Sequence, residues 1–127
     1  MRREAENWFK QSRADMKTAN DCLNAGNYYA AAFFSQQAIE KALKAYFIIK
    51  REDVPPKTYN LLDLCLELEV PEEFLTTARE LTPEFIITRY PNAAGGVPAE
   101  LYDIRSTTKI LRKTERFFKW IETVMKP

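Results

Sequence analysis

The chain has 127 residues, 46% of them hydrophobic and 29% charged, with a formal net charge of +1 and no histidine. This is enough for one domain, residues 1–127, burying roughly two-thirds of the surface its unfolded chain exposes, and only three glycines with no polar repeat exclude a disordered tract. Two cysteines without a histidine are too few for a closed zinc site, no apolar run reaches the ~20 residues of a bilayer span, and the Arg- and Glu-rich start lacks the apolar stretch of a signal peptide.

A cytoplasmic protein without a membrane segment, metal or other cofactor is therefore expected, with a carboxylate-held magnesium left open. Cys22 and Cys65 sit in helical patterns among apolar residues and read as small buried hydrophobes.

The first predicted helix runs from about Arg3 to Ala25. Ala5, Trp8, Phe9, Ser12, Met16, Ala19 and Leu23 recur at spacings of three and four and share one face. Gly26 suits a helix C′ position and Asn27 an N-cap, so the next helix folds back antiparallel. That second helix runs from Tyr28 to about Lys50, with Ala31, Phe34, Ala38, Ala42, Leu43 and Ala45 toward the core. Pro55-Pro56 closes the region, because proline lacks the helical donor and restricts the residue before it.

A leucine-rich third helix is predicted from about Thr58 to Leu68. Pro71-Glu72-Glu73 marks another start, and Thr82-Pro83-Glu84 opens a short segment to about Thr88. Residues Arg89 to Gly96 read as the one long loop. Pro98 then starts a final helix reaching Met125, whose apolar residues spread widely enough to meet more than one neighbour. No segment alternates as a strand would. The fold class is all-α, an up-and-down bundle of about five helices, three of them long.

Charge is uneven along the chain. Residues 1–50 hold 8 basic and 5 acidic groups, residues 51–100 hold 4 and 10, and residues 101–127 hold 7 and 3. If the basic ends pack side by side they form an anion-attracting surface; the alternative is internal charge complementarity.

In the second helix, Gln37, Glu40, Lys41 and Lys44 fall at i, i+3, i+4 and i+7 and so share a face. The row reads either as solvated surface or as part of a site. The run Phe34-Ser35-Gln36-Gln37-Ala38-Ile39-Glu40-Lys41-Ala42-Leu43-Lys44-Ala45 resembles the second helix of HEPN domains, where a Gln-Ala-x-Glu-Lys-x-x-Lys core is characteristic. Trp8 and Asp15 in the first helix, Pro56-Lys57-Thr58-Tyr59-Asn60-Leu61 before the third, and Arg89-Tyr90-Pro91 extend the likeness over nearly the whole chain.

The resemblance implies a helical bundle that often dimerises. It also implies binding of, or action on, nucleotides or RNA, and pairing with a minimal nucleotidyltransferase in toxin–antitoxin-like modules. RNase members carry an Arg and a His with four to six residues between them. Counting from Arg89, those positions hold Ala94, Gly95 and Gly96 here, and Tyr59 stands where relatives often have His. None of these replaces an imidazole. Tyrosine, with a reference pKa near 10, is ionised about one part in a thousand at pH 7, whereas general acid–base catalysis contributes about 10²–10⁴-fold.

The leading expectation is thus a nucleotide- or RNA-binding homodimer without RNase activity. Its site would combine Arg89 for phosphate, Tyr59 and Tyr90 for stacking, and Gln37, Glu40, Lys41, Lys44 and Arg105. The Gly95-Gly96 loop either brings backbone donors to an anion or is a plain turn. Two alternatives stay open: an RNase toxin using a non-His base such as Glu40 or a helix-two lysine, and a purely structural interaction module.

Overall fold

The structure, a computed structural model, describes residues 2–126. Three long helices frame it: α1 (Arg2–Asn24), α2 (Tyr28–Arg51) and, at the end of the chain, α7 (Ile104–Met125). Between them lie α3 (Leu61–Glu67), α4 (Leu75–Leu81) and two single turns, α5 (Glu84–Ile87) and α6 (Pro91–Ala94). The described residues contain no strand, as the sequence predicts.

Gly26 makes the α1–α2 turn. At φ 82° it takes the left-handed conformation, the Gly26 amide donates to Leu23 O at 3.2 Å, and the Asn27 amide donates to Cys22 O at 2.8 Å. These two bonds satisfy the last carbonyls of α1. Asn27 is the N-cap of α2, as expected, its carbonyl accepting from the Ala31 amide at 3.0 Å, but its side chain makes no capping bond.

The hairpin closes on small side chains. Ala5, Ser12, Ala19, Ala31, Ser35, Ala38, Ala42 and Ala45 are all fully buried, so the two backbones approach closely. Ser12 and Ser35 donate their hydroxyls back to Phe9 O (2.6 Å) and Ala31 O (2.8 Å), which satisfies them inside the interface.

Helix α7 lies against both. Phe9 stacks on Phe118 at 5.6 Å, and one turn further Arg13 meets Glu122 at 3.4 Å. The constant offset means α7 runs parallel to α1 and antiparallel to α2. At the far side Phe74, Phe117, Trp120 and Tyr46 form an aromatic group, with Phe74 and Phe117 centroids 4.9 Å apart. Phe117 is fully buried, and a large aromatic at such a place contributes about 3–5 kcal/mol relative to alanine. Within the chain α7 touches α1, α2 and α4, which accounts for its broad apolar pattern.

Three boundaries differ from the sequence reading. The final helix starts at Ile104, not Pro98: Asp103 Oδ1 accepts from the Ser106 amide at 2.8 Å and Ser106 Oγ answers the Asp103 amide at 3.4 Å, a reciprocal cap. Pro98 opens only a 3₁₀ turn, Pro98–Glu100. Helix α3 starts at Leu61, because Asn60 caps it at 3.2 Å while Thr58 Oγ1 accepts the Asn60 amide in a local turn. The predicted loop 89–96 contains α6, with proline at its first position and Gly95 at φ 71° ending it.

Cys65 is fully buried, and burial pushes its thiol up to about 12; Cys22 is only half-buried. No helix among the described residues is long and apolar enough to cross a membrane.

Candidate functional site

The residues expected to form one site separate into three places. The polar row of α2 turns inward, toward α1 and the chain leading into α3. Lys41 Nζ donates to Asp15 Oδ2 at 2.5 Å and to Gln37 Oε1 at 3.1 Å. Asp15 is buried, and its other oxygen accepts from Gln11 Nε2 at 3.0 Å. Gln37 Nε2 donates to Gln36 Oε1 at 2.8 Å, and the fully buried Gln36 donates to both Glu40 Oε1 (3.1 Å) and Tyr59 O (3.2 Å). Glu40 Oε2 accepts from Lys44 Nζ at 3.1 Å, with the Lys44 ammonium 5.5 Å from the centre of the Trp8 ring.

The row is thus bonded internally, one side chain to the next from Gln11 to Lys44, and is part-buried instead of fully solvated. Both lysines are neutralised by carboxylates, and the side chains of Lys44 and Glu40 are only 9% and 12% exposed. Both carboxylate oxygens of Glu40 accept hydrogen bonds, from Gln36 and from Lys44.

Arg89, Tyr90 and Tyr59 form the second place. The turn α5 brings Phe85 and Arg89 together at i,i+4, and Arg89 Nε donates to Phe85 O at 2.7 Å. The guanidinium carbon then lies 4.2 Å from the centre of Phe85, 5.1 Å from Tyr90 and 5.5 Å from Phe33. Tyr59 stacks on Phe85 at 4.3 Å with planes 15° apart. Arg89 is exposed, and Tyr59 and Tyr90 are 39% and 47% exposed.

Among the described residues Arg89 pairs with neither Glu40 nor Glu84. Glu84 instead accepts from the Tyr102 hydroxyl. Burial holds the Glu84 carboxyl above its ordinary range, with the Tyr102 bond acting in the opposite direction. Only Nε of Arg89 makes a hydrogen bond among the described residues, and the residue as a whole is exposed. A guanidinium laid on an aromatic ring with its fork free can bind phosphate in two-point fashion, and the adjoining tyrosine rings can stack a base.

Phe33 and Phe85 complete this group and were not singled out from the sequence. The i,i+4 spacing of Phe85 and Arg89 is the signal that finds Phe85; nothing local finds Phe33, which lies on α2. The bond from Gln36 to Tyr59 O ties the group to the buried network and sets where the Tyr59 ring lies.

Arg105 is the third place. It stands exposed in the first turn of α7, lining a shallow depression with Asp103, Lys109 and Glu80, apart from every residue of the Arg89 group. The glycines are plain turn residues: the Gly95 and Gly96 amides both donate to Pro91 O, at 3.0 and 3.2 Å, and so close α6 instead of facing an anion.

Comparisons with known proteins agree with this architecture. The structure of TT1696 from Thermus thermophilus superposes with a TM-score of 0.88 at 30% identity, covering 97% of this chain and 98% of that one. The structure of ST0689, described as an archaeal HEPN homologue, gives 0.83 at 27% identity over 97% and 98%. A comparison with the curated proteins gives no match. The HEPN domain profile matches residues 5–124, nearly the full length, and the chain belongs to the HEPN domain family.

Proposed function

We propose that this HEPN protein is a binding module for a nucleotide or a segment of RNA, with the ligand's phosphate on Arg89 and a base against Tyr90 or Tyr59. The observation that carries the reading is the exposed Arg89 guanidinium, seated on Phe85 with its two terminal nitrogens unengaged. The nearby Glu84 does not compete for it, since that carboxylate accepts from the Tyr102 hydroxyl.

The reading extends to partners. The protein would act as a homodimer alongside a minimal nucleotidyltransferase in a toxin–antitoxin-like pair. Helix α2 is covered by its own chain over most of its length, so a second subunit would meet other elements. Light scattering measures the oligomer, and co-purification with a nucleotidyltransferase encoded beside this chain tests the pairing.

Calorimetric titration with ATP and with a short single-stranded RNA tests the ligand. Binding that Arg89→Ala weakens is the expected result. Absence of binding by the wild-type protein removes the proposal, and RNA cleavage that depends on Arg89 would replace it with an RNase using a base other than histidine.

A further inference from the structure

Helix α7 carries a second feature that the Arg89 group does not use. Arg105, Lys109, Arg112, Arg116 and Lys119 succeed one another at steps of four, three, four and three residues. At about 100° per residue they fall within an arc of about 80°, and at 1.5 Å per residue they form a row about 21 Å long. All five are exposed. The row lies opposite the buried face made by Thr107, Leu111, Thr114, Phe117, Phe118 and Ile121.

Two facts set this row apart from the rest of the surface. Most cations elsewhere are matched: Arg2, Arg13, Lys17, Lys41, Lys44, Lys50, Arg51 and Lys113 each meet a carboxylate, whereas none of the five does among the described residues. Of the acids near the row, Glu80 bonds Lys113 and Glu122 turns to Arg13; Asp103, just before α7, feels the charge of Arg105, and Glu115, at i,i+4 before Lys119, makes no ion pair among the described residues. Like charges at i,i+3 and i,i+4 also destabilise the helix that bears them. Ion pairs among the described residues thus do not account for the row.

We infer that this face of α7 is a docking track for the phosphodiester backbone of a nucleic acid strand. A single file of positive charge, one group per about 5 Å along the axis, complements a linear polyanion. A membrane surface fits less well, because a helix lying in lipid needs an exposed apolar face and that of α7 is turned into the core. The track is distinct from the Arg89 group and reads no sequence, since cations on phosphates position a strand without specifying it.

The test is binding of a fluorescent 20-nucleotide single-stranded RNA and of a 20-base-pair duplex across a salt series. Arg112→Gln/Arg116→Gln is compared with Arg3→Gln/Lys10→Gln, a charge-matched pair on exposed α1 positions. Five phosphate contacts on a single strand predict a slope of log K against log salt of about −3.5, and removing two should reduce it by about 1.4. Affinity at low salt should fall roughly tenfold in the α7 variant and little in the control. Equal losses in the two variants overturn the inference. So does poly-glutamate binding as tightly as RNA with the same sensitivity to Arg112 and Arg116, or binding to phosphatidylserine vesicles in place of RNA. ATP separates the two proposals: the α7 variant should bind it like wild type. Failure of ATP binding together with salt-dependent RNA binding that Arg89→Ala leaves unchanged removes the Arg89 reading and leaves this one.

Discussion

Lys41 and Arg89 are both cations at the edge of aromatic and polar groups, but their surroundings give them opposite work. Lys41 reaches into the α1–α2 hairpin and meets the buried Asp15 at 2.5 Å. Each polar neighbour there is bonded to the next, from Gln11 through Asp15, Lys41, Gln37 and Gln36 to Glu40 and Lys44. Arg89 lies on the outside, supported from below by Phe85 and Phe33 and holding nothing with its outer nitrogens. A satisfied buried network fixes the pairing of two helices and has little left for a ligand. An exposed, preoriented guanidinium contributes little to folding and much to recognition.

The sharpest way to break this contrast is at Asp15. Asp15→Ala leaves the part-buried Lys41 ammonium with Gln37 as its remaining partner, and removing one member of a buried pair costs about 3–5 kcal/mol. Because the Lys41 side chain is 20% exposed, water can reach part of it, and the loss should sit near the lower end, about 3 kcal/mol by urea unfolding. RNA or nucleotide affinity of the remaining folded protein should not change. A loss below about 1 kcal/mol would return the row to an ordinary surface ion pair.

Arg89→Ala should show the reverse pattern. Charge-assisted bonds to a phosphate contribute about 1.5–3 kcal/mol, or roughly 10–100-fold in affinity. The same change should move folding stability by no more than about 0.5–1 kcal/mol, the scale of an exposed cation–π contact. An Arg89→Ala protein that unfolds more easily while binding ATP unchanged would show that the stack on Phe85 is structural.

Why the two places were not told apart in the sequence follows from what local pattern contains. The spacing of Gln37, Glu40, Lys41 and Lys44 puts them on one face, and Gly26 makes α1 the neighbour of α2; both are legible. What faces the row is not, because Asp15 lies 26 residues from Lys41 and nothing local pairs them. Arg89, Tyr90 and Tyr59 do gather as expected, but the ring that gathers them is Phe85, which looks like one of three apolar residues in a short turn. Pro98 and Asp103 are both sound helix starts on local grounds. The bond from Tyr102 to Glu84 holds the intervening chain against α5, and the helix begins only after it.

The contrast sharpens at a third kind of buried polar group, one with no partner. Thr107 is fully buried in α7, and its hydroxyl makes no hydrogen bond among the described residues. Thr114, also fully buried one stretch later, donates to Ile110 O at 2.7 Å. If satisfaction, and not polarity, is what makes the α1–α2 network stabilising, Thr107→Val should raise stability by about 1 kcal/mol while Thr114→Val does not. Equal effects at the two positions in thermal unfolding would contradict that view.

The smallest effect is a tilt in the pH dependence, and it concerns the acid that Arg89 leaves alone. Burial raises the Glu84 carboxyl from its ordinary value of 4.5, while the bond from Tyr102 partly opposes the rise. The folded protein therefore holds this proton more firmly than the unfolded chain does. The associated stability is complete below the ordinary value and is lost as pH rises through the folded one. Glu84→Gln keeps an acceptor for Tyr102 and cannot ionise, so its stability relative to wild type should improve as pH is taken from 4 toward 7. The melting temperatures of the two proteins, measured in parallel across that range, decide the matter. A wild-type protein that gains on the glutamine variant with rising pH would mean that the Tyr102 bond outweighs burial, leaving Glu84 charged in the fold. A charged Glu84 so close in the chain to Arg89 would be a ready partner for it, and the free guanidinium on which the binding proposal rests would need another explanation.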